Sequence, residues 1–173
     1  MIQNNVELPK QKRIALIAHD ASKPDLLAWV KYNLDTLSEH QLIATCGTGK
    51  MLSNATGLDI YQFKSGPFGE DQQIGAHIAE AEIDFLIFFW DPLEAQPHDP
   101  DIKALLCLAV LYNIPTACNR ATADFLISSP FMNRSYTLIL NQYDSQLKHL
   151  YERRREFIIR KLPGRSSGEI LYG

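Results

Sequence analysis

The residues able to do chemistry fall in a few short stretches. Thr45-Cys-Gly-Thr-Gly49 follows an apolar run and precedes a helical one. A turn of this kind aims free backbone N–H groups and the positive end of a helix at one point, which suits an anion. The hydroxyls of Thr45 and Thr48 add donors. Ser65-Gly66 offers another hydroxyl and another close-approach backbone, and Lys23 supplies a point charge. Together, Lys23, Thr45, Cys46, Gly47, Thr48, Ser65 and Gly66 describe a small phosphate site with one cation. A nucleotide would need more apolar surface for its base. The 45–49 stretch is neither a Walker A loop nor a full G-x-G-x-x-G, and taken alone it equally describes a plain strand-to-helix turn.

Acid–base groups accompany it. Asp71 sits at a predicted helix start, where N-capping, worth ~1 kcal/mol, would account for it alone. Capping does not account for Asp20, Asp91, Asp99 and Asp101, which also fall at strand ends or in one loop. Carboxylates that converge on one cleft repel one another, and that environment prepares a general acid or base. His98 lies between Pro97 and Pro100. An imidazole so pinned can polarise a carbonyl oxygen or shuttle a proton, and it can equally be plain surface.

Other chemistries find less support. The dipeptides His19-Asp20 and His98-Asp99 are far apart and lack the helical spacing of a metal pair, so no metal is expected. No G-x-S-x-G elbow occurs. Cys46, Cys107 and Cys118 are too few and too scattered for a disulfide framework or a zinc site, and read as reduced thiols.

Alternating elements must position these groups. Apolar runs at 13–18, 41–45, 59–63, 84–90, 115–118 and 136–140 predict strands, the run at 84–90 being covered on both faces. Helices are expected at 23–34, 50–56, 71–81, 101–111 and 121–127, with 46–49 as a turn and a further helical, basic stretch from Tyr143. This order predicts a single α/β domain of three layers, α/β/α, around a mostly parallel, Rossmann-like sheet. Ligands of such sheets bind beyond the carboxyl ends of the strands, where His19, Asp20, Thr45, Thr48, Ser65, Asp71, Asp91 and His98 would gather.

The 173 residues suit one domain, and 46% apolar with 21% charged residues excludes a disordered chain. A net charge of −3 argues against nucleic acid as a partner. No stretch reaches the ~20 apolar residues of a membrane span, so no membrane role and a cytoplasmic location are expected. Residues 148–173 hold seven basic and three acidic residues. Residues 8–150 form the expected domain and 151–173 a basic extension, helical and then frayed.

Several longer motifs closely resemble the methylglyoxal synthase family. They are Ile17-Ala-His-Asp20, Ser65-Gly-Pro67, the GEDQQIG of 69–75, Phe88-Phe-Trp-Asp-Pro-Leu93, Pro97-His-Asp-Pro-Asp101 with Lys103-Ala-Leu-Leu106, and Asn119 with Ala121-Thr-Ala-Asp124. The resemblance runs from about residue 8 to about residue 145. It implies a carbon–oxygen lyase that converts dihydroxyacetone phosphate to methylglyoxal and inorganic phosphate, without metal or organic cofactor, as a cytoplasmic homohexamer. Carried over by position, Asp71 is the base and His98 the electrophile and a substrate ligand. His19, Lys23, Thr45–Thr48 and Ser65-Gly66 bind substrate, and Asp20, Asp91 and Asp101 match the remaining carboxylates. The alternative is a non-catalytic phosphate-ligand sensor of the same fold, which would need the phosphate loops but not Asp71 and His98.

The chain departs from the family loop T-G-T-T-G by carrying Cys46 and Gly47. One hydroxyl is missing, and a lost hydrogen bond to a charged group costs roughly 1.5–3 kcal/mol. Nothing in the resemblance carries over to residues 153–173, so trimming after Leu162 is expected to leave activity intact.

Overall fold

The computed structural model describes residues 5–63, 70–93 and 99–139. Ser65, Gly66, His98 and the stretch from Tyr143 onward lie outside the described residues, as does the side chain of Asp71. The first half contains β1 (Asn5–Leu8), β2 (Arg13–Ala18), a 3-10 turn (Asp20–Ser22), α1 (Lys23–Tyr32), α2 (Leu34–Ser38), β3 (Gln41–Ala44), α3 (Cys46–Thr56) and β4 (Ile60–Gln62). The second contains α4 (Glu70–Ala79), β5 (Phe85–Phe89), α5 (Asp99–Leu111), β6 (Thr116–Ala117), α6 (Arg120–Ile127) and β7 (Tyr136–Ile139).

Five strands form one parallel sheet in the order β4-β3-β2-β5-β6. The chain starts at the middle strand, works outward to β4, then crosses back to β5. The boundary between β2 and β5 is therefore the topological switch point, where loops diverge and leave a crevice at the carboxyl ends.

Every residue of β5, and all of β2 after Arg13, is buried. Alternation along these strands separates two cores. Ile14, Leu16 and Ala18 pack in one layer with Leu26, Trp29 and Val30 of α1, Leu52 of α3 and Ala123 of α6. Ala15 and Ile17 face the other layer, with Ile74 and Ile78 of α4 and Ile102, Leu105 and Ala109 of α5. Helices thus cover both faces, as expected for three layers. Among the described residues no helix is long and apolar enough to cross a membrane.

Three local features differ from the sequence reading. The expected helix over 23–34 stops at Tyr32. There, the Asn33 backbone N–H and side-chain Nδ2 both donate to Trp29 O, at 3.1 and 2.9 Å. A side chain that claims the helical carbonyl competes with continued helix, and α2 restarts at Leu34. Residues 46–49, expected as a turn, are instead the first turn of α3, which begins directly after Thr45 and ends at Gly57 with φ +74°.

The third feature is β1, which pairs antiparallel with β7 as a separate two-stranded ribbon, Leu8 opposite Tyr136. Lys12 ties this ribbon down. Its Nζ donates to Pro9 O and to Arg134 O.

Candidate functional site

Each strand of the switch-point pair delivers polar groups as it ends. After β2 come His19 and the turn that leads to Lys23. After β5 come Trp90 and Asp91. The two ends are joined. The His19 N–H donates to Phe89 O at 3.2 Å, and the Asp91 N–H donates to His19 Nδ1 at 3.2 Å. Because Nδ1 accepts, the ring proton of the neutral imidazole belongs on Nε2. Phe88 packs against the ring at 5.2 Å with planes 73° apart. The sequence reading treats Phe88 as strand core; its place directly before the 89–91 strand end was the available signal for a ring-positioning role.

The third contributor is the start of α3, where β3 ends. Thr45 occupies the N-cap position without a side-chain cap bond. The Gly49 N–H makes the first helical bond, to Thr45 O at 2.7 Å. The N–H groups of Cys46, Gly47 and Thr48 therefore lie before the helical ladder. Thr48 Oγ1 is buried and has no hydrogen-bond partner among the described residues. A Cβ added at Gly47 would stand 3.3 Å from Lys23 Nζ, so the ammonium of Lys23 lies over this first turn. Free N–H groups and a cation thus meet at the positive end of an eleven-residue helix, whose first turn also carries the buried, unclaimed Thr48 hydroxyl.

Lys23 Nζ also donates to Asp20 Oδ1 at 2.5 Å. That hydrogen bond, with the ammonium charge behind it, holds the Asp20 carboxyl below its ordinary value. Asp20 is exposed, so it anchors Lys23 from the solvent side. Asp91 uses Oδ1 to accept from the Leu93 N–H at 2.9 Å, which folds its own loop. Asp71 is the second residue of α4 and Asp101 the third of α5, so both stand in first helical turns.

The structure thus brings His19, Asp20, Lys23, Thr45, Cys46, Gly47, Thr48 and Asp91 to the carboxyl ends of β2, β3 and β5. Among the described residues, the donors close enough to share a metal ion are those of His77, Glu80 and Glu82, outside this group.

A three-layer parallel α/β fold with open N–H groups, a lysine and an imidazole at its carboxyl edge defines a class: α/β proteins whose ligand site lies beyond the ends of the parallel strands. The comparisons narrow it. Residues 25–118 match the family model described as MGS-like domain. The chain is 59% identical over 143 residues to the methylglyoxal synthase of Leptospira interrogans serogroup Icterohaemorrhagiae serovar copenhageni, covering 83% of this chain and 97% of that one. It is 55% identical to the methylglyoxal synthase of Proteus mirabilis, covering 86% and 97%. The crystal structure of methylglyoxal synthase from Elizabethkingia anophelis superimposes with a TM-score of 0.79 at 49% identity, covering 84% of this chain and 96% of that one. This chain belongs to the methylglyoxal synthase family.

Proposed function

We propose that the protein converts dihydroxyacetone phosphate to methylglyoxal and inorganic phosphate. The observation that carries this reading is the 59% identity across 97% of a relative named methylglyoxal synthase. The geometry supports it through the open first turn of α3 with Lys23 over it, and through an imidazole oriented at the end of β2.

The chemistry follows from the groups. Asp71, at the start of α4, takes a proton from the hydroxymethyl carbon next to the carbonyl. His98 takes the role of electrophile toward the carbonyl oxygen, and a neutral donor stabilises an enediolate without protonating it fully; His19 helps to bind the substrate. The cradle of Lys23, Thr45, Cys46, Gly47, Thr48, Ser65 and Gly66 grips the phosphate. A grip that sets the C–O bond to phosphorus perpendicular to the enediolate plane selects elimination over reprotonation. The departing phosphate stays with the N–H groups and ammonium that held it. The enol ketonises to methylglyoxal without further help. Asp20 holds Lys23, Asp91 holds its loop against His19, and Asp101 completes the carboxylates. No step calls for a metal or organic cofactor.

The same reading places residues 8–150 as the active domain and 151–173 as a basic extension. It places the protein in the cytoplasm, which the unpaired thiols of Cys46, Cys107 and Cys118 suit. It also takes the enzyme as a homohexamer. An apolar groove of about 670 Å³ between Trp90 and the Ile102, Leu106, Cys107, Val110 and Leu111 side of α5 supports self-association.

The test is incubation of the purified protein with dihydroxyacetone phosphate, with and without a chelator, beside Asp71→Asn. Equal yields of methylglyoxal and phosphate, indifferent to chelator and reduced by roughly 10³-fold or more in the variant, are expected. Phosphate without methylglyoxal would mean hydrolysis and would end this reading.

A further inference from the structure

We propose that His77, Glu80 and Glu82, at the carboxyl end of α4, form a binding site for a divalent transition ion of the zinc type. The site lies at the opposite end of α4 from Asp71 and takes no part in the reaction proposed above.

The local fold brings three donors together. His77 lies in the last turn of α4, and Glu80, three positions on, directly follows the helix's last residue, so the two share one side of it. Glu82 reaches them through a reversal of the chain. Ala81 has φ +57°. Its N–H donates to Ile78 O at 3.1 Å, and the Glu82 N–H donates to His77 O at 2.8 Å. This is a helix-ending pattern that ordinarily uses glycine at the left-handed residue. It folds Glu82 back, so that its carboxylate meets His77 Nδ1 in a hydrogen bond. One donor atom from each of the three residues lies within 4.8 Å of the other two. The imidazole is also steadied by packing, its ring centroid 5.0 Å from that of the buried Phe63.

The charges of this cluster favour a cation. The carboxyl end of a helix carries partial negative charge, so carboxylates there are unfavourable, as are carboxylates close to one another. Glu80 and Glu82 stand in both situations, and His77 is the basic residue of the last turn. The guanidinium of Arg13 senses Glu82, but its own hydrogen bonds go to Asp84. A divalent ion compensates both carboxylates and the helix end at once. The donor set then selects the ion. One imidazole nitrogen with two carboxylate oxygens suits zinc and its neighbours, whereas magnesium and calcium prefer oxygen alone. On binding, His77 Nδ1 exchanges its hydrogen bond with Glu82 for the metal, and the ring proton stays on Nε2. His77 and Glu82 also line a cavity of about 890 Å³ together with Arg13, Tyr61 and Phe63. That space admits water to complete the coordination.

The test uses the full-length protein, stripped with a chelator and dialysed, with zinc chloride as the probe. Calorimetric titration should show saturable binding in the micromolar range that excess magnesium does not displace. Affinity should fall roughly tenfold or more in both Glu80→Gln and His77→Ala. Cobalt in place of zinc should give a visible spectrum without a thiolate charge-transfer band, which sets aside Cys46, Cys107 and Cys118 as the ligands. Thermal unfolding separates ligation from a merely structural role. Without metal, Glu80→Gln should melt at or above the unaltered chain, because a negative charge has left the helix end. With zinc the order should reverse, because the unaltered chain gains more from an ion that binds its folded state. Zinc affinity unchanged in either variant, a thiolate band, or no saturable binding overturns the proposal. None of these readouts involves dihydroxyacetone phosphate, so they judge this site independently of the proposed function.

Discussion

The two edges of the parallel sheet treat polar groups in opposite ways. At the amino edge most are paired, with the buried His40 Nε2 the exception among the described residues. Asp84, whose side chain is 1% exposed, accepts from the Arg13 N–H at 2.7 Å, from Nε at 3.1 Å and from Nη2 at 2.6 Å. The carboxylate in turn raises the Arg13 guanidinium. Lys12 is fully buried, yet its Nζ meets two carbonyls and its N–H donates to His40 Nδ1 at 3.2 Å. At the carboxyl edge the Thr48 hydroxyl, the Thr45 hydroxyl and the first N–H groups of α3 are left open. Buried polar groups cost stability unless they are satisfied. An edge that leaves them open is less stable than it could be, and the proposed function assigns that openness to a phosphate.

The comparison breaks most visibly at Asp84. Removing one partner of a buried ion pair costs about 3–5 kcal/mol. Arg13 keeps some access to water, so Asp84→Ala is expected near the low end, about 3 kcal/mol by denaturant titration. The kcat/KM per folded molecule should not change. A variant of unaltered stability with a raised KM would show that the edges are not separable.

Lys23→Ala is the mirror image. Loss of a hydrogen bond to a charged ligand is worth about 1.5–3 kcal/mol, so kcat/KM should fall roughly 10- to 150-fold. Its partner Asp20 is exposed, so stability should stay within about 0.5 kcal/mol. A large stability loss with intact kinetics would reassign Lys23 to the scaffold.

How much of this was legible in the sequence depends on range. The five-strand parallel core followed from apolar runs such as 84–90, because burial on both faces leaves no polar alternation. The residues of the cradle were legible because strand ends and glycines mark them. The start of α3 was not. Cys46-Gly-Thr-Gly49 carries two glycines, which disfavour helix, and only packing under β3 and β4 overrides that preference. Gly49 is needed there, since a Cβ would lie 2.7 Å from the Gln62 side chain. The β1–β7 ribbon was illegible for a different reason. Its strands are four residues each and their partners lie over 120 positions apart in sequence, so no local pattern announces the pairing. The Lys12 bonds to both ends hold it, and nothing in a lone lysine signals that. The family resemblance added the roles of Asp71 and His98, which spacing alone had left open between function and surface.

A smaller effect sharpens the contrast at a single atom. Thr48→Val keeps a β-branched side chain of the same shape and removes the unclaimed hydroxyl. Without ligand, the variant should be more stable by about 1 kcal/mol, because a buried group with no partner is gone. With inorganic phosphate the order should reverse, since the wild-type chain gains more from a ligand that binds the folded state alone. Thermal unfolding with and without phosphate reads both. A variant that loses stability in both conditions would mean that Thr48 Oγ1 already serves the fold.

The smallest expected effect lies at the amino edge and depends on pH. Burial first, and then the Lys12 charge, hold the His40 imidazole below its ordinary value of 6.5, with Glu39 and Asn133 acting the other way. The folded chain thus takes up this proton later than the unfolded chain as the medium is acidified. The contribution of His40 is full above about pH 6.5 and is lost as pH falls from there toward the folded value. Geometry gives the same sign, since protonation would place a hydrogen on the Nδ1 that accepts from the Lys12 N–H. His40→Asn keeps an acceptor near that position and cannot titrate. Its Tm should lose the decline that the wild-type protein shows below about pH 6.5, at a modest cost on the alkaline plateau. KM for dihydroxyacetone phosphate should follow its own pH profile in both proteins, because His40 serves the amino edge alone. Equal acid slopes of Tm in the two proteins would move the proton to another site.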